Sequence, residues 1–180
     1  MDADKAVRMV WIDLEMTGLD LAKDSIIEIT TLVTDGDLNI VAEGPNLAVS
    51  VSEDKIAGMD EWNTTHHHAS GLVDRIRHEG VTVQEAEERT LAFLRDHVDE
   101  GTAPLCGNSV WNDKRFLEKE MPSLVTFLHY RMVDVSTVKE LARRWYPDEP
   151  IFPKQGAHLA LDDIRESVAE LRHWRTRIFR

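Results

Sequence analysis

The chain has 180 residues, 42% of them hydrophobic, which suits one globular domain with its own core and leaves no room for a second large one. Its 33 acidic against 21 basic residues give a net charge of −12, which argues against clamping a long nucleic-acid duplex by neutralising many phosphates. Acids gathered around metals can still become attractive to a short phosphodiester once the metals bind. No apolar run approaches a membrane span, and Met1-Asp2-Ala3-Asp4-Lys5 lacks the basic-then-apolar pattern of a secretory signal, so a cytoplasmic protein with no membrane partner is expected.

Residues 7 to 15 read as a first strand and Ile26–Thr34 as a second, β-branched one. Asp35-Gly36-Asp37 is a turn, and a third strand from Asn39 to Ser50 would close an antiparallel hairpin. From Glu53 onward the periodicity is helical: Val83, Ala86, Thr90, Phe93 and Leu94 form one stripe, and Val135, Val138, Leu141, Ala142 and Trp145 another. Short apolar runs at Ala103–Cys106 and Arg131–Asp134 read as strands between these helices. A last helix runs from about Leu159 toward Arg177, with Ile164, Val168, Leu171 and Ile178 on its inner face. No repeat, low-complexity tract or Gly/Ser linker interrupts the pattern, so a single domain over residues 1–180 is expected. Strands as a meander first, then alternating with helices, predict an α/β fold with a mixed sheet.

Chemistry concentrates in three places. Side chains alternate along a strand, so Trp11, Asp13 and Glu15 share one face of the first strand while Val10, Ile12 and Leu14 share the other. Two adjacent carboxylates repel and resist desolvation unless something positive compensates, and a divalent metal is the simplest compensation. Taken alone, the tripeptide reads first as a solvated strand end with an accidental D-x-E. Asp113 lies three and four residues before Phe116 and Leu117, on the helix face that points inward with Val110, while Lys114 and Arg115 point out. Helix-dipole stabilisation of an N-terminal carboxylate, about 0.3–1 kcal/mol, accounts for it as well. In His158-Leu159-Ala160-Leu161-Asp162-Asp163 the imidazole stands at or just before a helix and Asp163 on its second turn. That pairs a proton acceptor near neutral pKa with a fixed acid that can hold a metal, although a lone His before a helix is often a surface or capping residue.

The order D-x-E, D, H-x4-D resembles the DEDDh 3′-to-5′ exonucleases, and within them the oligoribonuclease family. The blocks carrying the resemblance are Trp11–Asp20, Cys106–Ser109, His129–Ser136, Lys139–Trp145 and Asp162–Ser167, within a match from about Val10 to Trp174. The resemblance implies a ribonuclease H-like mixed sheet flanked by helices, and hydrolysis of very short RNA, chiefly dinucleotides, to mononucleotides. It implies that Asp13, Glu15, Asp113 and Asp163 hold two Mg²⁺ or Mn²⁺ ions, with Asp13 bridging, and that His158 is the general base. Hard cations prefer oxygen ligands, and two of them ~3.5–4 Å apart clamp the attacking and leaving oxygens of an in-line displacement. It further implies a cap on the substrate's 5′ phosphate made of Ser109, Arg131, Ser136 and Lys139, a wedge by Leu19 between the bases with Trp62 nearby, and a homodimer in which Tyr130 reaches the partner's site. Without the resemblance, Arg131 and Lys139 read as solvated surface residues and Trp62 as a core aromatic.

Trp111-Asn112 departs from the small or polar residues commoner before that aspartate in the family, and the stretch from Asp148 to Lys154 varies there. The first bears on the pocket wall. His66-His67-His68 cannot converge on one ion within a helix, where successive side chains diverge by about a hundred degrees. The run Glu85, Glu87, Glu88, Arg89 reads as a solvated helix face, and the single cysteine, Cys106, as a small buried hydrophobe. Two other functions fit less well. An exonuclease of longer RNA or DNA, such as ribonuclease T or a proofreading subunit, would need a basic path for the strand. A silent dimeric binding module would have no reason to keep five clustered costly residues.

Overall fold

The computed structural model describes residues 5–153 and 160–179. A short 3-10 turn over Lys5–Val7 precedes strand β1, Met9–Met16, which therefore begins two residues later than the sequence suggests. Strands β2 (Ile26–Thr34) and β3 (Ile40–Ala48) follow as an antiparallel hairpin. Its turn is pinned by Asp35, whose Oδ1 accepts from the Asp37 and Asn39 amides at 2.9 and 2.8 Å.

Helices α1 (Glu53–Ala57), α2 (Glu61–Ala69), α3 (Leu72–Glu79) and α4 (Val83–His97) lead to β4 (Pro104–Gly107). Then come α5 (Trp111–Glu120), α6 (Pro122–Phe127), β5 (His129–Asp134), α7 (Val135–Trp145) and α8 (Ala160–Ile178). The sheet order is β3-β2-β1-β4-β5, antiparallel among the first three strands and parallel where β4 joins β1 and β5. This is the ribonuclease H-like mixed sheet. Among the described residues no helix is long and apolar enough to cross a membrane.

The alternation read in β1 sorts its side chains between two cores. Val10, Ile12 and Leu14 pack with Ala86, Leu94, Phe116, Leu117 and Leu124, beneath α4 to α6. Trp11, fully buried, turns the other way onto Val135, Ile164 and Val168 of α7 and α8, and its Nε1 donates to Thr34 Oγ1 at 3.0 Å. Burying each such large side chain stabilises the fold by about 1.5–3 kcal/mol. A third cluster, around Ile27, Met59 and Leu72, seats the short helices α1 and α3. Cys106 is buried, as its neighbours suggest.

Two side chains of the predicted α7 stripe are not inside. Val135 and Ala142 are buried, but Leu141 is 36% and Trp145 67% exposed. They lie toward one flank of the stripe, and α7 meets the core with the other. Glu87 also departs from the solvated face expected of it: its carboxylate accepts the Leu124 amide at 3.0 Å and ties α4 to α6.

Candidate active site

Asp13 and Glu15 sit on β1, and α8 crosses the same sheet face because Ile164 and Val168 pack on Trp11. That crossing delivers Asp163 to them. One carboxylate oxygen each from Asp13, Glu15 and Asp163 lie within 4.8 Å of one another. Asp113, on the first turn of α5 and 7% exposed, approaches from the end of β4, and its Oδ1 accepts the Leu14 amide at 3.1 Å. It stands outside the tight group of three but near enough to act on its charge.

Burial, then the charges of Asp113, Glu15 and Asp163, push Asp13 well above the carboxylate range. Burial and the charges of Glu28, Asp163 and Asp113 push Glu15 up to about 7. Burial also pushes Asp113 up to about 7, against the lowering effect of the Leu14 amide. Like charges crowded in a dry site favour either protons or a cation. Among the described residues the donor set is all carboxylate oxygen, which fits a hard divalent ion rather than a thiol- or imidazole-seeking one. The cluster thus has the chemistry to hold a divalent metal.

Glu28 is an acid beside this cluster that its sequence context does not mark out. It pairs across the sheet with Glu15 and is 4% exposed. The Arg75 guanidinium binds it directly and also reaches Glu79 Oε1 at 2.7 Å and Asn46 Oδ1 at 2.9 Å. Glu28 therefore carries its own countercharge, the Arg75 guanidinium. Its one visible signal is an acid in the middle of a β-branched strand.

The three consecutive histidines diverge as expected. His66 stacks on Trp62 with ring centroids 4.0 Å apart. His67 is buried, its Nε2 3.1 Å from the Met16 carbonyl and its Nδ1 4.0 Å from Glu15. Burial lowers its pKa, so the neutral ring donates through Nε2 and turns the bare Nδ1 toward Glu15. His68 Nδ1 lies 3.0 Å from the Thr64 carbonyl.

Beside Glu15 opens a cleft of about 450 Å³ walled by Gly18, Leu19, Trp62 and Asn63. Leu19 is 66% and Trp62 60% exposed, so Trp62 is no core aromatic. The Leu19 loop is held by Asp24, which accepts from Thr17 Oγ1 at 2.9 Å and from the Asp20 amide at 2.8 Å. Gly18 permits this closure, since a Cβ there would lie 2.5 Å from Asp24 Oδ2. Nothing in its sequence context singles out Asp24.

The expected phosphate-binding residues are only partly gathered. The Ser109 amide donates to Asp134 Oδ1 and to Ser136 Oγ, both at 3.0 Å, and the two hydroxyls lie 3.1 Å apart. Ser109 holds a left-handed backbone, φ 52°, an uncommon conformation for a residue with a Cβ, and one that collects at binding sites. Lys139 Nζ lies 3.4 Å from Glu170 Oε1. Arg131, exposed on edge strand β5, lays its guanidinium over the Tyr130 ring, 5.3 Å from the centroid. Trp111 and Ser136 share the wall of a groove of about 410 Å³ that runs on to Leu141 and Arg144. His158, expected as the general base, lies outside the described residues.

A family profile described as "Exonuclease" (RNase_T) matches residues 10–171. Oligoribonuclease from Alcanivorax borkumensis is 58% identical over 173 residues, 96% of each chain. That of Shewanella loihica is 54% identical over 181 residues, 100% of this chain and 99% of the relative. Among solved structures, zinc-bound E. coli exonuclease I with single-stranded DNA superposes at TM-score 0.77 with 13% identity, over 96% of this chain and 41% of that one. A moderately thermophilic exonuclease I from Methylocaldum szegediense gives TM-score 0.73 at 18% identity, over 95% and 41%. At such identities the likeness to the exonucleases I is one of fold, and this chain spans 41% of their length.

Proposed function

The chain belongs to the oligoribonuclease family of exonucleases, and on that premise we propose that it hydrolyses very short RNA in the cytoplasm. The favoured substrate is a 5′-phosphorylated dinucleotide, cut from its 3′ end to nucleoside 5′-monophosphates by a single exonuclease domain. What supports this best is the group of three carboxylates within 4.8 Å, lying beside a cleft edged by the exposed Leu19 and Trp62.

In this reading Asp13, Glu15 and Asp163 hold the metal, two ions of Mg²⁺ or Mn²⁺, with Asp113 completing the set. Bound there, they would acidify a water and offset charge on the attacking and leaving oxygens. Asp13, on the central strand β1, would contribute its carboxylate beside those of Glu15 and Asp163. His158 accepts the proton of the attacking water. Leu19 separates the two bases and the free face of Trp62 stacks on one of them, its other face being covered by His66. Ser109, Ser136, Arg131 and Lys139 receive the 5′ phosphate, for which hydroxyls, an ammonium and a planar fork are suited donors. The site closes behind the second nucleotide, which selects against longer chains. A second copy of the chain docks along edge strand β5, where Tyr130 is 74% and Met132 38% exposed, and lends Tyr130 to its neighbour's site.

The test is metal-dependent cleavage of RNAs of two, five and twenty nucleotides. A preference for the dinucleotide by kcat/KM is the expected result. A preference for the twenty-nucleotide RNA would replace this reading with a general 3′-to-5′ exonuclease.

A further inference from the structure

Asp163, Ser167 and Glu170 follow one another at i, i+4 and i+7 and so line one face of α8. Ser167 and Glu170 are 8% and 1% exposed, both polar and both turned inward. Asn108, between β4 and α5, binds them together: its Nδ2 donates to Ser167 Oγ at 2.9 Å and to Glu170 Oε2 at 3.2 Å. Ser167 Oγ in turn donates to the Asp163 carbonyl at 3.0 Å. On its other side Asn108 Oδ1 accepts from Ser136 Oγ at 3.1 Å, and Ser136 Oγ accepts the Ser109 amide. The remaining Glu170 oxygen holds the Lys139 ammonium at 3.4 Å, with Lys139 itself 23% exposed.

We propose that Glu170 and Asn108 are positioning residues for 5′-phosphate selection, fixing Lys139 and Ser136 of α7 to the helix that carries Asp163. The proposal rests on the reading of that pocket as a phosphate site. A buried carboxylate is tolerated when it is paired and hydrogen-bonded, and Glu170 gains both from Lys139 and Asn108. The pairing also decides what Lys139 can do. A lysine is a flexible, rotamer-rich side chain, and one already held at the pocket mouth loses less freedom when an anion arrives. The carboxylate beneath it dulls the attraction, so Glu170 contributes placement rather than charge. Because the same residues bond to α8, filling the phosphate pocket and setting Asp163 draw on one hydrogen-bonded unit, which ties recognition of one substrate end to the metal ligand near the other.

The experiment is a double-mutant cycle on the full chain, comparing kcat/KM for a 5′-phosphorylated and a 5′-hydroxyl dinucleotide and, separately, their binding in EDTA. Lys139→Ala should lower the preference for the phosphorylated substrate about tenfold, and Glu170→Gln should do nearly the same, mainly through KM. In the Lys139→Ala background Glu170→Gln should add less than twofold, because it acts through Lys139. Additive losses, or an unchanged or raised preference in Glu170→Gln, would overturn the proposal. If Lys139→Ala alone leaves the preference intact, the phosphate reading itself fails and takes the proposal with it. Asn108→Ala cuts the link from α8 to Ser136 and carries the same comparison should Glu170→Gln not fold; a preference equal to wild type there overturns the proposal as well.

Discussion

The acid cluster and the serine pocket treat polarity in opposite ways. At Asp13, Glu15 and Asp113, carboxylates crowd together with Asp163 and their pKa values rise, with Glu15 and Asp113 pushed up to about 7. At Ser109, Asn108, Ser136, Lys139 and Glu170, polar groups answer one another, and even the buried Glu170 has its cation. The first region withholds stability until a cation arrives, whereas the second is organised before any ligand does. Function is visible as local frustration in one place and as full satisfaction in the other.

The comparison breaks most sharply at the acids. Asp13→Ala or Asp163→Ala should lower turnover by at least about a thousandfold, roughly 4 kcal/mol of barrier. For Asp13→Ala, melting in EDTA at pH 8 should not fall, because that substitution removes repulsion from Asp113, Glu15 and Asp163. Near-normal turnover in either variant, or a sharp loss of apo stability in Asp13→Ala, would contradict the cation reading.

In the satisfied region the effects should be smaller and selective. Arg131→Ala should cost a 5′-phosphorylated dinucleotide about ten- to a hundredfold in kcat/KM, the worth of a charge-assisted contact of about 1.5–3 kcal/mol, and cost a five-nucleotide RNA less. Equal losses at both lengths would remove Arg131 from the phosphate site. Smaller still, Ser109→Gly should weaken phosphate-dependent binding only a few-fold while leaving the melting temperature unchanged or slightly higher. The loss of one hydroxyl contact is set against relief of a left-handed backbone, φ 52°, that glycine adopts freely. A marked drop in melting temperature would show that the hydroxyl serves the fold rather than the ligand.

The same contrast explains what can be read without a structure. Asp13 and Glu15 stand out because acids inside an apolar strand are costly, and Asp113 because it falls on an inward helical stripe. The β2–β3 hairpin is legible from Asp35-Gly36-Asp37, a local signal. Arg75 meets Glu28 across 47 positions and Asn108 meets Glu170 across 62. No periodicity announces pairings at that distance, since each partner alone is an ordinary polar residue. Spacing puts Trp145 on the inner stripe of α7 because it marks a broad arc, and only packing decides which flank of that arc meets the core.

The central claim, that the acid cluster is built for a divalent cation, is tested most directly by melting the protein between pH 5 and 8, in EDTA and in Mn²⁺. Carboxyls whose folded pKa is raised bind more protons folded than unfolded, so their stabilising protonation is complete near pH 4 and is lost as pH rises toward 7. A tenfold difference in proton affinity between the folded and unfolded chain is worth about 1.4 kcal/mol, so Glu15 and Asp113 together oppose apo folding at pH 8 by several kcal/mol. His67, with its pKa lowered by burial, contributes the opposite slope near pH 6, and comparing wild type with Glu15→Gln isolates the acids. The melting temperature in EDTA should fall with rising pH, less steeply in Glu15→Gln, and Mn²⁺ should restore it most at pH 8. A profile equally steep in both proteins, or a melting temperature that Mn²⁺ does not move, would contradict the account.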